Sequence, residues 1–255
     1  EFPAGGRGLS ARLSVHRPAL WAATLFRDAL KRRGIEVEGE ARARDARESE
    51  EREHVVPERA VELASLTGET LGSVVRRTNK ESINLNAELI LRTLGKEKGS
   101  TVPALDPKRA RTRGDDEAGT TVVRQWLAEH GIPVDSLALH DGSGLSRLNL
   151  VTPEATVRLL AVMLQTSSAA RFRDSLPVAG RDGTLKFRLR STPGRVEAKT
   201  GTLTYVNSLS GYATAEDDEV LAFSIICNDE TSAESSTPVI DAIAALLASY
   251  QEAGQ

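Results

Sequence analysis

Val196-Glu197-Ala198-Lys199-Thr200-Gly201-Thr202-Leu203-Thr204 opens the last third of the chain. Arg195 to Thr200 reads as a strand, and two more strands follow at short intervals, Val206 to Ala215 and Val220 to Asn228. Glu216-Asp217-Asp218-Glu219 between those two is a tight acidic turn, which suits an antiparallel hairpin. A helix from Pro238 to Tyr250 closes the chain, apolar at Val239, Ile240, Ile243, Leu246, Leu247 and Tyr250. It is expected to pack on the sheet through Ile243, Leu246 and Leu247. Helices first, then an antiparallel sheet covered by a helix, predict an α+β fold.

Upstream of the sheet the pattern is mainly helical. Pro18 suits the first turn of a helix with Ala22, Leu25, Phe26, Ala29 and Leu30 on one face and Gly34 at its stop. Ile35 to Gly39 and Val61 to Thr67 read as strands, separated by a charged, solvated connection over Ala41 to Glu53. A helix from Thr70 leads to Asn79-Lys80-Glu81-Ser82, and an apolar helix runs from Asn86 to Leu94, ended by Gly95. After a polar loop reaching Asp116, Thr120 to His130 forms the next helix. His140 to Asn149 is a loop. Thr152 and Pro153 then open a helix capped by the Thr152 hydroxyl, with Val157, Leu160, Ala161 and Leu164 on one face.

The composition excludes several classes of function. With 255 residues the chain is long enough to bury a proper core, and its formal charge of -3 argues against a nucleic-acid partner. The apolar runs are too short to span a membrane. The single cysteine, Cys227, lies in an apolar strand and reads as a core residue. His16, His54, His130 and His140 are scattered without a metal-ligand spacing, so no metal site is expected. Glu1-Phe2-Pro3-Ala4-Gly5-Gly6-Arg7-Gly8 looks like a loop met in mid-protein, and the N-terminus is expected to be processed or truncated.

Three segments carry possible chemistry. In Lys199-Thr200-Gly201 the lysine supplies positive charge, the threonine a hydroxyl donor, and the glycine room for an extended peptide to pair with the strand. The alternative is an exposed turn with a solvated lysine. Ser82 and Asn84 form a Ser-x-Asn. Two residues apart in a straight helix they would point to nearly opposite sides, so both can face one cleft only if the backbone turns there. The alternative is that one of them caps the helix running to Leu94. In Asp141-Gly142-Ser143-Gly144-Leu145-Ser146-Arg147-Leu148-Asn149, two glycines allow close backbone approach to a ligand and Arg147 offers a fork for a carboxylate. A merely flexible loop is the alternative there.

Taken in order, four segments resemble the D-alanyl-D-alanine carboxypeptidase/endopeptidase family of low-molecular-mass penicillin-binding proteins. They are Glu81 to Glu88, Asp141 to Arg147, Leu176-Pro177-Val178-Ala179-Gly180 with Asp182-Gly183-Thr184-Leu185, and Ala198 to Leu203. Ser14-Val15-His16-Arg17-Pro18 resembles the region after that family's large insertion, so the likeness covers nearly the whole chain. The resemblance implies part of a penicillin-binding protein/β-lactamase-like transpeptidase fold, divided into an opening segment with helices (1–80), a mainly helical part (81–190) and the sheet with its last helix (191–255).

The resemblance also implies roles. Ser82 and Asn84 match the second active-site motif, and Lys199, Thr200 and Gly201 the third. Gly144, Leu145 and Arg147 match a loop lining the substrate cleft, and Thr202 and Thr204 match ligand-contacting residues beyond the third motif. The implied reaction is acyl transfer from a peptidoglycan stem peptide ending in D-Ala-D-Ala to a serine, with the terminal D-alanine leaving and the acyl-enzyme then hydrolysed, outside the cytoplasmic membrane, with β-lactams as substrate mimics and no cofactor. One motif is missing. The family's nucleophile lies in Ser-x-x-Lys, and none of the lysines here has a serine three residues before it. That motif is expected upstream of Glu1. A β-lactamase and a peptidoglycan-binding pseudoenzyme are the rival readings.

Overall fold

The computed structural model describes residues 14–43, 64–99, 116–229 and 235–251. The chain divides into two compact units, Glu1–Ala64 and Ser65–Gln255. In the first, helix α1 (Pro18–Arg32) has Pro18 at its start, and its last carbonyls, Leu30 and Lys31, accept from the Arg33 amide. Ile35 to Gly39 is not a strand: these residues are exposed, no described strand pairs with them, and the Ile35 amide donates back to the Leu30 carbonyl of α1. An alternating pattern alone cannot make a strand without a partner to satisfy its backbone. For Val61 to Thr67, residues 61–63 lie outside the described residues and 64–67 have no regular structure. Much of the charged connection (44–53) and of the polar loop (100–115) is likewise outside them.

The second unit starts with α2 (Leu71–Glu81), whose Thr70 side chain accepts from the Ser73 amide as its cap. Helix α3 (Asn84–Lys98) follows almost at once. It runs straight through Gly95, where a stop was expected. Leu91, Gly95 and Gly99 are buried at four-residue spacing. Leu91 and Gly99 meet Gly119 and Ala118 respectively, so small residues there allow close helix packing, which offsets the ~1 kcal/mol propensity cost of a helical glycine. Those partners belong to α4 (Asp116–Glu129), which begins before Thr120 with two acids in its first turn, a charge that suits the helix dipole. Helix α5 (Pro153–Leu164) is capped as expected by the Thr152 side chain, which accepts from the Ala155 amide. The short helix α6 (Ala169–Ser175) and a 3₁₀ turn at Gly183–Leu185 lead into the sheet.

Strands β1 (Val196–Leu203), β2 (Val206–Thr214) and β3 (Val220–Cys227) form an antiparallel sheet in that order. The acidic turn works locally: the Glu219 amide donates to Asp217 Oδ1 and the Ala215 amide to the Glu219 carbonyl. One face of the sheet buries Val196, Ala198, Leu209, Ala213 and Phe223 against the last helix, α7 (Thr237–Ala248). The other face buries Tyr212 with Leu160 of α5, Leu176 and the partly buried Phe172 of α6.

The docking face of α7 differs from expectation. Ile240, Ala244 and Ala248 are the buried residues, with Leu247 partly buried beside them, whereas Ile243 is 41% and Leu246 72% exposed. The helix is apolar nearly all round, so its pattern did not single out one stripe. Small alanines bring its axis close to the strands. Among the described residues no helix is long and apolar enough to cross a membrane.

Candidate active site

The alternation of β1 decides where Lys199 goes. Val196 and Ala198 point into the core under α7, so Lys199 leaves from the opposite face, opposite Ser210 of β2. There it meets the junction of α2 and α3.

That junction makes the turn that the Ser-x-Asn spacing requires. Helix α2 ends at Glu81; Ser82 takes a left-handed conformation (φ 55, ψ 53), and its amide donates to the Thr78 carbonyl. The Ile83 amide donates to the same carbonyl at 3.1 Å. This closure resembles the common helix ending in which glycine takes the left-handed position. A serine there costs about 1–3 kcal/mol of local strain, held in place by its surroundings. Ile83 is extended and precedes α3 without a side-chain cap, and Asn84 is the first helical residue. Neither Ser82 nor Asn84 therefore caps the start of α3; Ser82 instead ends α2 as its C-terminal cap. Asn84 is exposed.

Lys199 Nζ donates to Ser82 Oγ at 2.8 Å and to the Thr200 carbonyl at 2.8 Å. No carboxylate pairs with it among the described residues. Burial holds its pKa below the ordinary 10.5. Such an ammonium can attract an anionic group and pass a proton along the Ser82 hydroxyl. Thr200 Oγ1 donates to Thr184 Oγ1 at 2.9 Å, and Thr202 Oγ1 to Asn207 Oδ1 at 3.1 Å. Gly201 has a reason the sequence did not show: a Cβ there would run into the Ser208 hydroxyl of β2. A side chain at 201 would oblige the Ser208 hydroxyl to turn away from its present position.

The 140–149 loop is built, not loose. Asp141 accepts from the amides of Gly144 (2.7 Å) and Ser146 (2.6 Å) and from Asn149 Nδ2 (2.8 Å). Glu88 of α3 accepts from the amides of Gly142 and Ser143, at 3.2 and 3.1 Å. Gly142 sits against α3, where a Cβ would lie 2.6 Å from the Ala87 carbonyl oxygen. Its absence of a side chain serves helix contact. Gly144 is exposed in a left-handed conformation and Leu145 is exposed beside it. Arg147 Nη1 donates to the Thr204 carbonyl at 3.0 Å, so part of its fork already ties this loop to the tip of the β1–β2 hairpin.

The geometry thus joins Ser82, Lys199 and Thr200 directly, and links Arg147 to Thr204. Thr184, Glu88, Asp141 and the Lys80–Asp182 pair support the site and had been given no role from sequence. For two of them a signal was present: Asp141 and Asp182 each stand directly before a glycine inside a matched segment.

The profile of the D-Ala-D-Ala carboxypeptidase 3 (S13) family matches residues 1–250. The chain belongs to this family. A D-alanyl-D-alanine carboxypeptidase from Actinomadura sp. (strain R39) is 35% identical over 257 residues, 98% of this chain and 44% of that protein. The D-alanyl-D-alanine carboxypeptidase DacB of Haemophilus influenzae is 29% identical over 220 residues, 85% of this chain and 41% of that one. The chain therefore spans less than half the length of these two relatives. Among solved structures, penicillin binding protein 4 of Haemophilus influenzae, complexed with a β-lactam, superposes with a TM-score of 0.75 at 26% identity, covering 93% of this chain and 53% of that one. The S13 chain thus has part of a penicillin-binding protein fold, as the resemblance of its four segments implied.

Proposed function

We propose that these 255 residues contribute the second and third active-site motifs of a serine-type D-Ala-D-Ala carboxypeptidase/endopeptidase acting on peptidoglycan stem peptides in the cell envelope. The observation that carries this reading is the 2.8 Å contact between Lys199 Nζ and Ser82 Oγ. It brings together two motifs that the sequence separates by more than a hundred residues, in a chain of the S13 family.

The roles follow from the chemistry of each group. The Lys199 ammonium draws in the carboxylate of a terminal D-alanine and lowers the cost of negative charge developing on the attacked carbonyl. Ser82 relays a proton between Lys199 and the leaving amine. The Asn84 amide holds a carbonyl of the peptide. Thr200 and Thr202 offer hydroxyls to the substrate carboxylate, and an extended acyl-peptide pairs along Gly201. Gly144, Leu145, Arg147 and Thr204 form the far wall of the cleft. The nucleophile has to come from outside these residues, since no Ser-x-x-Lys occurs in them. β-Lactams acylate the same serine as substrate mimics.

The test is D-alanine release from a stem peptide ending in D-Ala-D-Ala by the full-length protein, together with labelling by a fluorescent penicillin. Release and a stoichiometric label on a serine outside this chain are expected. The 255-residue chain alone is expected to take no denaturation-resistant label. A full-length protein that neither releases D-alanine nor takes the label would end the reading.

A further inference from the structure

We infer that Lys80 and Asp182 form a positioning pair that holds Ser82 against Lys199; the inference rests on the acyl-transfer reading of that contact. Lys80 is 7% exposed. Its Nζ donates to both oxygens of Asp182, at 2.8 and 2.7 Å, and Asp182 Oδ1 also accepts from the Val178 amide at 2.8 Å. The Asp182 side chain is 40% exposed, so the desolvation of the buried ammonium is set against attraction to a partly solvated carboxylate, and such a pair is a poor source of stability. What it can do is fix geometry, and here the fixed element is the last turn of α2.

Lys80 precedes Ser82 by two residues. Gly183, next to Asp182, lies against the same turn: a Cβ on it would sit 2.8 Å from the Lys80 carbonyl oxygen. Thr184, one residue further, accepts from the Thr200 hydroxyl at 2.9 Å. Residues 182–184 therefore grip the end of α2 on one side and β1 on the other. They form a second bridge, beside the Ser82–Lys199 contact itself, between α2, which Ser82 terminates, and the strand that carries Lys199. One turn earlier, Asn79 Nδ2 donates to the buried Ser175 hydroxyl at 2.8 Å and anchors the same helix end. Ser82 is strained in its left-handed conformation, so it stays there only while its neighbours over-determine it. Removing the pair's charge lets that turn relax and the Ser82–Lys199 contact open.

The test uses two variants of the full-length protein. Asp182→Asn keeps the shape and removes the charge. Lys80→Met/Asp182→Asn leaves no buried charge unpaired, and carries the test where the single variant does not fold. Saturation kinetics with a chromogenic β-lactam separate the dissociation constant of the initial complex from the acylation rate constant. Crystal structures of the variants give the Ser82 Oγ–Lys199 Nζ distance. We expect the acylation constant to fall about tenfold to 100-fold, the size of effect that a small misplacement of a reacting group produces, with the initial-complex constant unchanged and the contact lengthened beyond hydrogen-bonding range. A folded variant with wild-type acylation and the contact intact overturns the inference, as does a drop in melting temperature alone. If the wild-type protein is not acylated, the proposed function fails, and the distance decides the positioning role by itself: retained in both variants, it overturns that role; lost, it supports it.

Discussion

Ser82 and Lys199 are hydrogen-bonded at 2.8 Å although 117 residues separate them in the chain. Two independent local features make the contact possible. The left-handed Ser82 turns the chain between α2 and α3, and the alternation of β1 sends Lys199 away from the core. Each fails if shifted by one residue, since a one-residue slip of a strand moves every side chain to the other face.

Replacing Lys199 tests the site directly. In the full-length protein Lys199→Ala is expected to slow β-lactam acylation by about 100-fold or more, the usual loss for one electrostatic group at a developing charge. Lys199→Arg should recover only part, because a planar guanidinium does not substitute for a compact ammonium. Melting temperatures should barely move, since no ion pair of Lys199 is lost. Wild-type acylation by Lys199→Ala would reduce the Lys-Thr-Gly to a surface turn.

The pH profile should carry the mark of the same lysine. Burial holds its pKa below 10.5, and the proposed role needs the ammonium. Second-order acylation should therefore decline on an alkaline limb that sets in below pH 10.5. The stability contribution has the opposite sign. The folded state binds this proton less tightly than the unfolded chain, so the lysine's cost to folding is present below its folded pKa. That cost is relieved as pH rises from there towards 10.5. An alkaline limb above 10.5 would contradict the assignment.

Tyr212 should show itself at still higher pH. Its hydroxyl donates to the Leu160 carbonyl at 2.8 Å from a buried position. Burial pushes its pKa from 10.0 up to about 12; the nearby Arg173 works against this and Glu197 adds to it. A raised tyrosine pKa contributes stability that is complete below pH 10 and lost as pH climbs to about 12. Denaturant titrations should show that loss in the wild type and not in Tyr212→Phe. At neutral pH the phenylalanine variant should be about 1 kcal/mol less stable for its lost hydrogen bond.

The docking face of α7 can be read from two truncations. Ile240→Ala empties a site that is 1% exposed and should cost about 2–5 kcal/mol. Leu246→Ala removes a side chain that is 72% exposed and should cost no more than about 0.5 kcal/mol. Shifts in the urea midpoint measure both. The reverse order would mean that the helix packs by the face its sequence first suggested.

Much of this was legible because it is local. Thr70 and Thr152 announced their helices since a capping hydroxyl reaches an amide only three residues away. The hairpin of β2 and β3 followed from two apolar runs and the acidic turn between them. Ile35 to Gly39 misled for the opposite reason: alternation names a candidate strand, and only a partner makes it one. Gly95 misled because a glycine weakens a helix without having to end it, and here it is buried inside one that continues to Lys98.

The amino-acid sequence by itself determined which motifs exist, the order of the main helices and of the three strands after Val196, and the absence of a Ser-x-x-Lys. Caps, turns and strand alternation are interactions among residues a few positions apart, and they need no knowledge of the rest of the chain. Only the tertiary structure decided that Ser82 meets Lys199, that Lys80 is spent on Asp182, that Arg147 reaches Thr204 and that Gly201 makes room for Ser208. Those pairings depend on how helices and strands pack through their cores. A shift of one ångström there leaves every local pattern unchanged and breaks each of these contacts.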